Sequence, residues 1–184
     1  MAGELPTRII KYPDPRLRNI SEPVTEFDQH LAALVDRLIE LMRTGDGVGL
    51  AAPQAGVSRR ILVYNATGKK EETQVLINPE LLDLTDQVEA EEGCLSLPDI
   101  RVMVRRARQC RVRAQDITGK PFELLGQDLL ARIWQHENDH LDGKLIIDRM
   151  DATDRIANRK KIAELETDYA RNAKYGGKGK RVIA

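Results

Sequence analysis

The chain has 184 residues, a formal net charge of +0 at pH 7, 41% hydrophobic residues and 32% charged residues. These values predict one globular domain over residues 1–184, and the balanced charge excludes a general attraction to DNA or to anionic membranes. The sequence has no apolar run that could span a bilayer and no recognisable secretion signal. We therefore expect a cytoplasmic protein whose two cysteines, Cys94 and Cys110, are reduced rather than joined in a disulfide.

The first predicted elements are an extended arm and a helix. Prolines 13 and 15 favour an extended conformation over residues 9–15. A helix is predicted next, because apolar residues recur three and four positions apart, with Thr25 or Asp28 as its N-cap. These apolar residues are Leu31, Leu34, Val35, Leu38, Ile39 and Met42. Gly45 ends the pattern.

Short strands and two further helices complete the predicted order. Strands are expected at 60–64, 75–77 and 101–104, followed by a hairpin of 108–115 and 121–125 around a turn at 116–120. Helices are expected at about 127–141 and 154–175, the latter packing through Ile156, Ile162, Leu165 and Tyr169. This order predicts an α+β fold. The glycine-rich, basic segment 176–184 is predicted to be a flexible tail.

The predicted helix at about 127–141 contains the segment QHENDH at residues 135–140. Helical residues four positions apart share a face, so His136 and His140 can bind one metal ion. Glu137 lies beside them, within reach of a water molecule at that metal. The alternative is a surface helix on which both histidines are solvated.

A catalytic metal site of this kind needs a third protein ligand and one open position. In one known pattern a third histidine follows a glycine; Gly143 is correctly spaced here, but Ile146 occupies the ligand position and cannot bind a metal. Glu164 and Glu166 fit by spacing alone, and a cysteine is the remaining possibility.

Cys94 lies in the segment EGCLSLP at residues 92–98. Gly93 permits tight backbone geometry before it, and Pro98 is expected to end regular strand pairing after it. Such a cysteine can bind a metal as a thiolate, although free cysteines are more often small core residues. We expect Cys110, in an alternating strand, to be a core residue.

A third segment, GVGLAAPQ at residues 47–54, combines small residues with an amide side chain. The glycines allow another main chain to approach closely, and Gln54 can donate a hydrogen bond to a developing oxyanion. An ordinary junction between a loop and a helix is the alternative.

These three segments, in this order, resemble the peptide deformylase family, as does the arm YPDPRLR at 12–18. The resemblance implies antiparallel sheets around the HExxH helix, with an N-terminal and a C-terminal helix. It implies Cys94, His136 and His140 as metal ligands. The expected ion is iron(II) in the cell, with zinc(II) or nickel(II) possible in purified protein.

The resemblance also implies a metal-dependent hydrolase that removes the formyl group from N-formylmethionine at the start of new polypeptides and releases formate. Glu137 would be the general base and then the acid, while the Gln54 side chain and the Leu95 N–H would stabilise the oxyanion. The expected substrate contacts are the main chain at Gly49, a methionine slot and a residue flanking the peptide. The slot residues are Val48, Leu129 and Ile133, and the flanking residue is Arg101.

Two residues depart from the family's usual pattern, because Trp134 and Arg132 occupy positions that often hold smaller or apolar residues. Because of these two residues, the sequence does not define the shape of the substrate pocket.

The basic residues from Arg155 onward favour a solvated helix face, with docking to the ribosome as the alternative. The rival functions are a zinc peptidase with a different third ligand, a structural metal module and an inactive relative.

Overall fold

The computed structural model describes residues 5–175, so the predicted flexible tail at 176–184 lies outside the described residues. Its five antiparallel strands form one sheet in chain order. They are β1 (Gly49–Ala51), β2 (Ile61–Tyr64), β3 (Gln74–Cys94), β4 (Leu97–Gln115) and β5 (Pro121–Gln127). The α-helices are α1 (Gln29–Thr44), α2 (Leu129–Leu141) and α3 (Ala152–Tyr175). The predicted α+β fold is confirmed, and within 5–175 we find no helix with the length and apolarity of a membrane span.

Helix α1 is close to its prediction because its apolar positions repeat regularly. Asp28, rather than Thr25, is the N-cap, and its carboxylate accepts a hydrogen bond of 2.9 Å from the Leu31 N–H. Leu34 and Leu38 are buried against β1 and β2. This packing fixes one side of the short strand β1.

Strands β3 and β4 are much longer than the predicted segments 75–77 and 101–104. The register of their pairing shifts three times, and β3 has positive φ angles at Asn78, Asp83 and Asp86. Such bulges turn side chains out of the two-residue alternation by which a strand is recognised in sequence. Pro98 interrupts regular pairing, as expected, because residues 98–100 form a bulge where no ladder hydrogen bond is required of proline, but β4 continues and pairs with β3 on both sides of this bulge.

Helix α2 is the central element and contacts all five strands. Trp134 is fully buried, and its ring packs edge-to-face on Tyr64 with the ring centroids 5.9 Å apart. Gly126 of β5 leaves room for this indole, since a Cβ there would overlap the ring. Trp134 therefore belongs to the core between α2 and the sheet. This core also contains Cys110, which is buried as expected.

Helix α3 packs less extensively than predicted. Ile162 and Leu165 contact a core cluster that includes Leu97 and Ile100, whereas Ile156 is 79% exposed. The expectation for Ile156 was wrong because the face of α3 that meets β4 carries polar rather than apolar side chains there. Asn158, on that face, is only 5% exposed.

Candidate metal centre

Three potential ligand atoms converge between the end of β3 and the middle of α2. Cys94 is the last residue of β3, and His136 and His140 are one helical turn apart on α2. Their ligand atoms all lie within 4.8 Å of one another, with Cys94 Sγ 3.3 Å from His140 Nε2. The alternative third ligands are elsewhere: Glu164 is exposed on α3, and Glu166 accepts a hydrogen bond from the Tyr12 hydroxyl.

Glu92 determines which nitrogen of His136 faces the other two ligands. The buried Glu92 carboxylate lies 2.9 Å from His136 Nδ1 and accepts two hydrogen bonds from Arg106, at 2.7 and 2.9 Å. Burial opposes ionisation of Glu92, but the hydrogen bonds from Arg106 and His136 outweigh it and hold the pKa of this carboxyl well below its usual range. His136 Nδ1–H therefore donates to a carboxylate, which leaves Nε2 free to bind a metal.

A wider ion-pair network fixes the same region of α2. Arg106 also donates to Asp139 at 2.7 Å, and Asp139 accepts from Arg149. Arg132, one of the two departures noted in the sequence, donates to Glu92 at 2.7 Å and to the Val104 carbonyl at 2.9 Å. The network thus holds the Arg132 guanidinium at the border of the cavity that is described below.

Sequence reasoning missed Glu92 and Arg106. One local signal was present, because Glu92 precedes Cys94 by two residues and alternate strand residues face the same side. The role of Arg106 depends on the register of β3 against β4, which the sequence pattern does not reveal.

Protonation at the centre is strongly perturbed. Burial would raise the pKa of the Cys94 thiol, but the adjacent His140 and His136 outweigh it and hold that pKa well below its usual range. Burial raises the pKa of the Glu137 carboxyl, against the opposing charges of the two histidines. Within residues 5–175, neither Glu137 Oε2 nor His140 Nδ1 has a hydrogen-bond partner.

The donor set suits a divalent transition metal. One thiolate and two imidazoles are ligands that iron, zinc and nickel accept. The unpaired Glu137 Oε2 is a buried polar atom that an additional group, such as a water molecule, would satisfy. The main chain at Gly49 lies close to the Glu137 carboxyl group, because a Cβ on Gly49 would be 2.5 Å from Glu137 Oε1.

Gln54 lies on the other side of the cysteine. It is 1% exposed, in a short 3-10 helix that follows β1. Its Oε1 accepts a hydrogen bond of 2.8 Å from the Ala51 N–H, which directs Nε2 toward Cys94 Sγ at 3.5 Å and Ser96 Oγ at 3.4 Å. The amide therefore presents its donor group to the centre.

A cavity of about 630 Å³ opens over these groups. All the residues predicted to contact substrate line it, namely Val48, Gly49, Arg101, Leu129 and Ile133. Leu95 also lines it, in the turn between β3 and β4, and Lys11 donates to the Leu95 carbonyl. Lys11 is a lining residue that sequence reasoning missed, because the arm and the turn are far apart in sequence.

Comparison with known proteins identifies the family. A family model described as polypeptide deformylase matches residues 6–156. A peptide deformylase of Acidobacterium capsulatum is 49% identical over 160 residues, which cover 86% of this chain and 94% of that protein.

Solved structures agree with this match. A peptide deformylase of Legionella pneumophila has a TM-score of 0.83 at 43% identity, covering 89% of this chain and 97% of that one. A peptide deformylase of Plasmodium falciparum has a TM-score of 0.86 at 39% identity, covering 89% of this chain and 98% of that one.

Proposed function

Since the chain belongs to the polypeptide deformylase family, it removes the formyl group from the amino terminus of newly made polypeptides, and we propose how its residues divide this work. The observation that supports the proposal is the convergence of a Cys-His-His cluster, an unpaired buried glutamate and an oriented glutamine amide in one cavity. The products are formate and a free methionine amino group.

Cys94, His136 and His140 hold the metal ion in this proposal, with iron(II) as the ion in the cell and zinc(II) or nickel(II) as substitutes. When bound, the ion would act as a Lewis acid that lowers the pKa of a water molecule and polarises the formyl carbonyl group. Glu92 keeps His136 in the tautomer that leaves Nε2 available.

Glu137 is the proposed general base. Its burial and raised pKa give it a stronger affinity for a proton than an exposed glutamate has. It accepts the proton of the attacking water at Oε2 and then delivers a proton to the nitrogen of the leaving amine. Gln54 Nε2 and the Leu95 N–H donate to the formyl oxygen while negative charge develops there.

The substrate peptide binds along β1 in this proposal. Strand β1 is at the edge of the sheet and pairs only with β2 among the described strands. A peptide in extended conformation can add to its free edge at Gly49. Val48, Leu129 and Ile133 form the slot for the methionine side chain, and Arg101 flanks the residues that follow.

The test is formate release from formyl-Met-Ala-Ser under anaerobic conditions, with acetyl-Met-Ala-Ser as the control substrate. We expect release from the formyl peptide alone. Cleavage of an internal peptide bond would favour the rival zinc peptidase, and no turnover by metal-loaded protein would indicate an inactive relative. The Cys94→Ser variant separates the ligand sets, because a peptidase with another third ligand would keep its metal.

A thiolate on iron(II) is open to oxidation, so we expect activity to decay in air. The half-life of the formate-releasing activity should be much longer in an anaerobic chamber than in air, and also longer after iron is exchanged for nickel. Metal content is measured in the same samples to separate oxidation from metal loss. Equal decay in both atmospheres would contradict iron(II) as the active ion.

We also propose that the protein works in the cytoplasm and that α3 docks to the ribosome. Arg155, Arg159 and Lys160 are exposed on α3, and surface cations of this kind bind RNA phosphates in a salt-dependent way. We expect the Arg159→Glu/Lys160→Glu variant to lose salt-sensitive co-sedimentation with bacterial ribosomes. The control variant is Lys69→Glu/Lys70→Glu, which reverses two exposed cations elsewhere. Equal sedimentation of both variants would argue against docking through α3.

A further inference from the structure

Helix α3 binds the main chain of β4 at three alternate residues. Asp154 Oδ2 accepts a hydrogen bond of 3.1 Å from the Met103 N–H, and Asn158 Nδ2 donates one of 2.9 Å to the Arg101 carbonyl. Lys161 Nζ donates to the Asp99 carbonyl. Residues 154, 158 and 161 share one face of the helix, while alternate residues of a strand direct their main-chain groups to one edge. We call these three hydrogen bonds the α3–β4 contact.

The edge at this contact has no competing strand. Strand β5 pairs with β4 only from Gln109 onward, so β3 is the sole strand partner of residues 97–108 within the described part of the chain. Asn158 is the buried member of the contact, and its amide also donates to the Asp154 carbonyl at 3.0 Å. Both bonds of this amide therefore fix its position between helix and strand.

The residues held in this way border the cleft. Asp99 and Arg101 line the cavity, and the Arg101 guanidinium lies over Gly93, where a Cβ would overlap it. Arg101 Nε is also 4.0 Å from Glu91 on β3, and both side chains are 65% exposed. Among the described residues, this weak ion pair is the only polar contact of the Arg101 side chain, so its place depends largely on its main chain.

We propose that Asn158 is a positioning residue for Arg101 and thereby a determinant of affinity for substrate residues beyond the methionine. This inference rests on the proposed function, in which Arg101 flanks the peptide. Asn158 holds the Arg101 carbonyl. In this proposal the Arg101 guanidinium is thereby kept at the end of the cleft that the second and third residues of the substrate peptide reach. The family model ends at residue 156, so Asn158 and Lys161 lie beyond the part of the chain that it matches.

The test compares Asn158→Ala and Asn158→Asp with wild type on a long and a short substrate. Asn158→Asp keeps the volume of the side chain but lacks the N–H donor. We expect KM for formyl-Met-Ala-Ser to rise about five- to tenfold in both variants, the factor that one net hydrogen bond contributes. KM for N-formylmethionine amide and kcat for both substrates should stay at the wild-type values. The matched control is Asn172→Ala, which removes an exposed asparagine from the same helix.

Hydrogen exchange provides a readout that does not depend on turnover. Exchange of the amides at 99–103 should become faster in both Asn158 variants and remain unchanged in the Asn172 variant. If wild type releases no formate, the proposed function fails, and the exchange data still decide whether Asn158 holds β4. Unchanged exchange would overturn the inference, as would an equal rise of KM for both substrates or wild-type kinetics in Asn158→Asp.

Discussion

Replacing Glu137 with glutamine should lower kcat for formyl-Met-Ala-Ser by a factor of about 10²–10⁴, the range that a positioned general base contributes. Glutamine has nearly the same volume, so the helix and the ligand cluster should remain intact, but it cannot accept the proton of the attacking water. The measurement is anaerobic formate release at saturating substrate, with metal content determined in the same preparation.

The matched control is Glu164→Gln, which neutralises an exposed glutamate on α3. It should leave both kcat and metal content at wild-type values. If Glu137→Gln retained activity within tenfold of wild type at equal metal content, Glu137 would not be the base. A parallel loss of metal would instead assign it a part in metal binding.

Replacing Gln54 with alanine should lower kcat by about 10²–10³, as expected when one donor to an oxyanion is removed. The amide is oriented before substrate binds, because the Ala51 N–H holds its Oε1. Truncation also leaves this buried N–H without an acceptor, so thermal unfolding must be measured beside kcat.

Two further variants separate the role of the Gln54 donor from its structural contact. Gln54→Glu keeps an acceptor for the Ala51 N–H but presents no N–H to the substrate, so its kcat should fall at least as far. Ser96→Ala removes the hydroxyl 3.4 Å from Gln54 Nε2 and should cost much less. Activity of Gln54→Glu within tenfold of wild type would exclude the oxyanion role.

The parts of the fold that the sequence predicts well are those with local periodicity. The bounds of α2 and the end of α1 agree with their predictions to within about two residues, and the start of α1 matches one of its two predicted N-caps, because the buried positions of both helices repeat at helical spacing. Residues 78–92 of β3 show no such repeat, since bulges and positive φ angles interrupt the alternation. This strand is specified by its pairing with β4, which is a long-range property.

The same distinction applies to the centre. Cys94, His136 and His140 stand in short segments whose residue types already suggest metal binding, and the fold brings them together. Arg106 and Asn158 look like ordinary polar residues of a strand and a helix. Their partners, Glu92 and the Arg101 carbonyl, become visible only once β3, β4 and α3 are in register.

The shortness of β1 has a consequence for self-association. An exposed sheet edge can pair with the edge of another copy and so start aggregation, and proteins limit this hazard by keeping edge strands short. Strand β1 has only three residues. It thus has enough backbone groups to pair with the first residues of an extended chain, yet too few to act as a template for edge-to-edge assembly. At this edge, therefore, an extended peptide can pair while pairing between two copies of the protein is disfavoured.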